Sequence, residues 1–128
     1  MLARAIEIAS AAHANQKDKQ GMPYILHPLW VMHKVRHLGI NFMIVAVLHD
    51  LVEDTNWTIK RLREEGFHEH ILLALKLLDM RVGDYQRNIE LIITNEYATQ
   101  IKLRDLEHNS KITRLKDIRP KNLEKFQS

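Results

Sequence analysis

The 128-residue sequence contains no cysteine. That excludes thiolate metal sites, thiol nucleophiles and disulfide staples, and it suits a reducing compartment. Glycine (4), proline (3) and aromatic residues (6%) are all scarce. With β-branched runs short as well, the shortage of turn and strand formers predicts an all-α fold. No apolar stretch is long enough to span a bilayer. The opening Met1-Leu2-Ala3-Arg4-Ala5-Ile6-Glu7 is broken by Glu7 and does not read as a signal peptide. A cytoplasmic protein without a membrane partner is expected. An excess of one charge is missing too: 19 basic residues stand against 16 acidic, a formal +3 spread along the chain. Nucleic-acid binders usually concentrate basic charge on one face. No nucleic-acid partner is therefore expected, while a small anionic substrate is compatible.

The length fits one domain, residues 1–128, large enough for a core without staples. Residues 2–14 place Leu2, Ala5, Ile6, Ala9 and His13 on one helical stripe. A polar loop follows, closed by Gly21-Met22-Pro23. His27-Pro28 then opens a helix to about Leu38, stopped by Gly39. Residues 42–54 read as a helix that is apolar all round for two turns, which belongs in the middle of a bundle. Thr58 caps a helix through Glu65, and residues 69–78 and 84–94 give two more. Asn95 caps a helix from Glu96 to about Asn109, and Pro120 is placed to start a short terminal one. Connections are short throughout, as in packed bundles.

The central helix ends in His49-Asp50-Leu51-Val52-Glu53-Asp54. Burying an unpaired carboxylate costs several kcal/mol, so acidic residues at the end of such a helix need a reason. In a continuous helix Glu53 lies at i+4 from His49 and Asp54 at i+4 from Asp50, which stacks the four polar groups on one face. A divalent cation would neutralise them. His27 at a helix start and Asp105, within the mixed apolar and charged segment Ile101-Lys102-Leu103-Arg104-Asp105, are available as further ligands. Two imidazoles and two carboxylates suit Mn²⁺, Fe²⁺ or Zn²⁺ better than Mg²⁺ or Ca²⁺.

In order, His13…Gln16, Gly21-Met22-Pro23-Tyr24-Ile25-Leu26-His27-Pro28, Val47-Leu48-His49-Asp50-Leu51-Val52-Glu53-Asp54-Thr55 and Lys102-Leu103-Arg104-Asp105 with Asn109 resemble the HD hydrolase domain of the RelA/SpoT family. The resemblance is strongest to its short stand-alone hydrolases and metazoan SpoT homologues. It covers about residues 2–115, leaving 116–128 as a tail. It implies a compact multi-helix bundle with Mn²⁺ held by His27, His49, Asp50 and Asp105. It further implies Glu53 and Asp54 as the catalytic pair, and Lys19 and Asn109 as nucleotide contacts. Lys17, Lys102 and Tyr24 complete the expected substrate-binding set. The implied reaction is hydrolysis of the 3′-diphosphate of (p)ppGpp, the signal of the stringent response, to GDP or GTP and pyrophosphate. The chain leaves no room for a synthetase domain, so hydrolysis alone is expected.

Some positions depart from that family's pattern. Asp18 stands where an arginine usually stacks on guanine, Ile112 replaces a threonine although Thr113 is adjacent, Asp79 replaces a threonine and Arg104 an alanine. An arginine at 18 is accordingly expected to improve guanine-nucleotide affinity. The alternatives are another nucleotide substrate (a deoxynucleotide, NADPH or another alarmone) and a non-catalytic nucleotide-binding module. Homo-oligomerisation is left open. Among the other histidines, His13 reads as a hydrogen-bonded core residue, and His33, His37, His68 and His70 as surface residues. His108 beside the site helix reads either way. Trp30 and Trp57 read as packing groups.

Overall fold

The computed structural model describes residues 1–117, with side chains as far as Ser110. The chain forms α1 (Leu2–Ala12), α2 (Leu26–Lys34), a 3-10 turn (Arg36–Leu38), α3 (Ile40–Leu48), α4 (Leu51–Asp54), α5 (Ile59–Glu64), α6 (Glu69–Leu78), α7 (Tyr85–Ile93) and α8 (Glu96–Asp117). The fold is all-α. Among the described residues, the sole β-type pairing is an isolated bridge between Lys17 and Pro23 that closes the loop before α2. None of these helices is long and apolar enough to cross a membrane.

Helix α3 is the centre of the bundle. Phe42 and Ile44 through Leu48 are buried, and the helix packs against α1, α2, α6 and α8. Its neighbours offer one apolar face each: Ala5, Ile8 and Ala9 from α1; Val31 from α2; Ile71, Leu72, Ala74, Leu75 and Leu78 from α6; Ala98 and Ile101 from α8. Full burial of one such aliphatic side chain stabilises the fold by about 1.5–3 kcal/mol.

Helix starts follow local chemistry. The Thr58, Asp84 and Asn95 side chains accept from the backbone N–H groups of Arg61, Arg87 and Ala98, satisfying donors that have no partner inside the helix. Helix α2 begins at Leu26, before the expected His27-Pro28. Pro28 still falls in the first turn, where a missing N–H costs nothing. The helix expected to reach Leu38 ends at Lys34 and tightens into the 3-10 turn, and Gly39 stops it at φ 118°. Helix α8 runs past the expected Asn109 to Asp117, since neither glycine nor proline occurs between Asn109 and Pro120. The helix expected at Pro120 lies outside the described residues.

The largest departure is in the segment read as one helix over 42–54. It breaks at His49-Asp50 into α3 and α4. The Ala46 carbonyl receives both the backbone N–H of His49 and its ring Nδ1, so the His49 ring caps the end of α3. Hydrogen bonding resumes with Asp54 N–H to the Asp50 carbonyl, 2.9 Å.

Candidate metal centre

That break turns His49 and Asp50 toward α2 and α8. His27 from the first turn of α2, His49 and Asp50 from the end of α3, and Asp105 from the middle of α8 come together. One ligand atom from each lies within 4.8 Å of the other three. His27, His49 and Asp105 are buried, and the Asp50 side chain is 13% exposed. Asp105 Oδ1 is the hub, 2.8 Å from His27 Nε2 and 3.4 Å from His49 Nε2. Asp50 Oδ2 is 3.0 Å from His49 Nε2 and 3.6 Å from His27 Nε2. Both imidazoles thus turn Nε2 inward.

The donor set fits a divalent transition metal. Two neutral imidazoles and two carboxylates gather two negative charges in a largely dry pocket, which a divalent cation would neutralise. Without the cation a proton does part of that work. Burial acts to lower the pKa of His49, but the charges and hydrogen bonds of Asp50 and Asp105 outweigh it and hold it well above the usual range. Burial would raise Asp50, yet His49 and the Tyr24 hydroxyl bring it down to about 2. Asp105, likewise buried, is held far below the usual carboxylate range by hydrogen bonds from His27 and His49.

A pH dependence follows. A cation needs His49 neutral, so binding at neutral pH displaces a proton. Mn²⁺ affinity is expected to rise about tenfold per pH unit from pH 6 to 7. The rise levels off once the pH passes the raised value of His49. The metal-free protein should show the opposite trend. Stability from a raised histidine is complete below the unfolded value and is lost as pH climbs through the folded one. Calorimetric titration and thermal melts of chelated protein across this range measure both, and a flat Mn²⁺ affinity would contradict the linkage.

The expected catalytic pair is close in sequence to the ligands but separate in its contacts. The break removes the single polar face expected over 49–54. Glu53 accepts from the Met80 N–H at 2.9 Å, reaching across to the end of α6. Burial raises its pKa, with Asp50, Asp79 and Asp54 adding to the rise against the Met80 bond. Asp54 is exposed and accepts from Gln16 Nε2 at 3.3 Å. Gln16 in turn accepts from buried His13 through Nδ1, 2.8 Å away. The pairing of His13 with Gln16 was visible as an i, i+3 spacing, but the link to Asp54 had no local signal. Asp54 and Gln16 open onto a groove of about 520 Å³ that also includes Asn15, Asn56, Trp57 and Arg61. Arg61 lies over the Trp57 ring at 3.9 Å, a packed arrangement rather than an open stacking platform.

The expected substrate contacts divide. Lys102 Nζ and Asn109 Nδ2 lie 3.5 and 3.3 Å from the Asp105 carboxylate, at the rim of the centre. Lys17 and Lys19 are exposed on the loop before α2. Tyr24 donates its hydroxyl to Asp50 Oδ2 at 2.6 Å, so it holds a candidate ligand rather than presenting its hydroxyl to solvent. Its pKa is raised by burial and by Asp50. Ile112 and Thr113 lie beyond the described side chains.

Asp18 is tied into its own loop. Its Oδ1 accepts from the backbone N–H groups of Gln20 (2.8 Å) and Met22 (3.0 Å). The expected gain from an arginine there is therefore revised. Asp18→Arg removes two loop hydrogen bonds of about 1 kcal/mol each. It should loosen the loop, seen as faster proteolysis within 17–23, and any nucleotide that the loop contacts should bind more weakly rather than more tightly. Tighter binding by titration would show that the loop tolerates the exchange.

No protein-family model matches the chain. Sequence relatives do. The chain is 35% identical over 122 residues to a probable GTP pyrophosphokinase of Mycobacterium leprae, a match covering 87% of this chain and 16% of that protein. It is 31% identical over 115 residues to a guanosine-3′,5′-bis(diphosphate) 3′-pyrophosphohydrolase of Haemophilus influenzae, covering 80% of this chain and 17% of that protein. The chain thus spans about a sixth of the length of these relatives. A solved structure of a metazoan SpoT orthologue, described as hydrolysing ppGpp, superposes with a TM-score of 0.70 at 23% identity, covering 98% of this chain and 78% of that one. An all-α bundle that gathers two histidines and two aspartates from three helices defines an HD domain. Within that class, the sequence relatives place the chain with the RelA/SpoT-type HD domains, and the superposition shows the same fold.

Proposed function

We propose that the chain hydrolyses the 3′-diphosphate of (p)ppGpp, releasing pyrophosphate and GDP or GTP, with Mn²⁺ held by His27, His49, Asp50 and Asp105. The observation that carries the reading is the convergence of those four side chains within 4.8 Å, with Glu53 and Asp54 on the next turn. A divalent ion there would acidify a bound water and polarise a phosphoryl oxygen. The residues supply the rest. Water oxygen bonds to the phosphorus attached to the 3′-oxygen, and that O–P bond breaks. Glu53, with its raised pKa, takes the proton that the water loses. That proton passes on to the leaving 3′-oxygen, and Asp54, exposed and steadied by Gln16, accepts a hydrogen bond that orients the water. Lys102 at the rim and Lys17 and Lys19 on the loop offset the substrate's negative charge, and Asn109 offers a polar contact beside them.

The test is product analysis by chromatography. Metal-stripped protein resupplied with Mn²⁺ is incubated with ppGpp, NADPH and deoxynucleoside triphosphates in parallel. GDP and pyrophosphate appearing only with the metal is the expected result. Turnover of another nucleotide alone would overturn the substrate and keep the hydrolytic centre. Asp18 favours including that second reading, because its carboxylate is committed to the loop and leaves no guanidinium there to stack on guanine. Binding without turnover of any of them would overturn the enzymatic reading.

A further inference from the structure

A metal-binding imidazole needs its second nitrogen held, because that bond fixes both the tautomer and the ring plane. His49 meets the need locally through the Ala46 carbonyl. His27 does not. Its Nδ1 lies 2.7 Å from Nδ1 of His108, 81 residues away on α8. The two rings are tilted by only 3° with centroids 5.0 Å apart. That separation is what one N···N bond plus two ring radii amounts to, so the rings lie edge to edge in a common plane. His108 is itself held face to face by Trp30, with centroids 4.3 Å apart and planes 11° apart. Trp30 stands one turn after His27 on α2 and also carries the Lys34 ammonium 5.2 Å from its ring centroid. Trp30 therefore orients His108, and His108 orients His27.

We infer that His108 is a positioning residue for the metal centre: its Nδ1 accepts from His27 Nδ1–H, and the Trp30 face sets the plane in which it does so. The inference rests on the reading that His27 binds the metal through Nε2. That nitrogen faces Asp105 at 2.8 Å and Asp50 at 3.6 Å. Coordination there leaves the His27 proton on Nδ1, where an acceptor is required. A neutral His108 with its own proton on Nε2 supplies one. Imidazole replaces the carboxylate or carbonyl more often found in this outer position. It links α2 to α8 directly behind the centre, so the same bond that orients the ligand also ties together two of the helices that supply ligands.

The experiment compares His108→Phe with His108→Asn. Phenylalanine keeps a flat ring against Trp30 but accepts nothing. Asparagine gives up the ring but places an amide oxygen close to where Nδ1 was. Mn²⁺ dissociation constants are measured on metal-stripped proteins by competition with a chelating indicator, alongside thermal melts and the absorption spectrum of the Co²⁺-loaded forms. His108→Phe is expected to bind Mn²⁺ about 10- to 100-fold more weakly and to change the Co²⁺ spectrum. His108→Asn should recover most of the affinity. Wild-type affinity in His108→Phe overturns the inference, and so does a His108→Asn variant as weak as His108→Phe, because the ring alone would then matter. A wild-type protein that binds no Mn²⁺ overturns the metal reading itself, which is a distinguishable result. Should His108→Phe fail to fold, His108→Leu against His108→Asn makes the same comparison.

Discussion

Asp105→Ala is expected to abolish turnover and to weaken Mn²⁺ binding by more than about 100-fold, beyond what loss of an outer-shell partner costs. The reason lies in how much converges on one carboxylate. Both inward-facing imidazoles, the Lys102 ammonium and the Asn109 amide all lie within 3.5 Å of it. Removing it takes away one of two negative charges and leaves His27 Nε2 with only Asp50, 3.6 Å distant. The effect on folding should be mixed. In the metal-free protein Asp105 is the second counter-charge for a protonated His49, after Asp50, and losing part of the compensation of a buried charge is costly. Asp50 at 3.0 Å remains to pair with His49, so the variant should fold while melting at a lower temperature. Metal titration and a thermal melt with and without Mn²⁺ separate the two effects. Wild-type stability gained from Mn²⁺ and none gained by Asp105→Ala is the expected pattern. Equal stabilisation of both would mean that the ion is held elsewhere.

The centre was legible in the sequence to the extent that contrast made it so. His49 and Asp50 follow seven apolar residues, Phe42 to Leu48, and a polar group at the end of a core helix is conspicuous against that background. Asp105 was harder to see, because its segment is mostly polar, and only the pattern of the whole motif singled it out. What could not be read was the break between α3 and α4. Leu48-His49-Asp50-Leu51-Val52 holds no glycine or proline, and the modest helix propensities of His, Asp and Val do not by themselves end a helix. The interruption comes from the His49 ring taking the Ala46 carbonyl while Nε2 reaches Asp50 and Asp105. A competition between local and distant partners leaves no periodic trace. The same limit hid the partner of Glu53, since the Met80 N–H lies 27 residues on. It also left His108 ambiguous, because spacing along α8 says nothing about a ring on α2. Helix identity rests on near neighbours and was mostly readable, whereas the placement of polar groups within the site rests on distant ones.

The separation of α3 from α4 also divides the labour, and that division is open to test through Glu53. Its carboxylate is outside the four-residue cluster and is held by a backbone N–H instead. Glu53→Gln keeps the side chain's length, and its amide oxygen can still accept from Met80. The fold, the melting temperature and Mn²⁺ affinity should therefore change little. Turnover should fall by about 10²- to 10⁴-fold, the usual contribution of a positioned general base. The pH profile gives a sharper check. Burial and the neighbouring carboxylates Asp50, Asp79 and Asp54 raise the pKa of Glu53. A base must be ionised to act, so wild-type kcat should climb as pH rises through that raised value, at higher pH than an ordinary glutamate would give. In Glu53→Gln that limb should vanish from whatever activity is left, while the pH dependence of metal binding, which belongs to His49, persists. Full activity in Glu53→Gln would move the proton role to Asp54. In that case Asp54→Asn should remove the limb instead, and the His13–Gln16–Asp54 chain would be what positions the base.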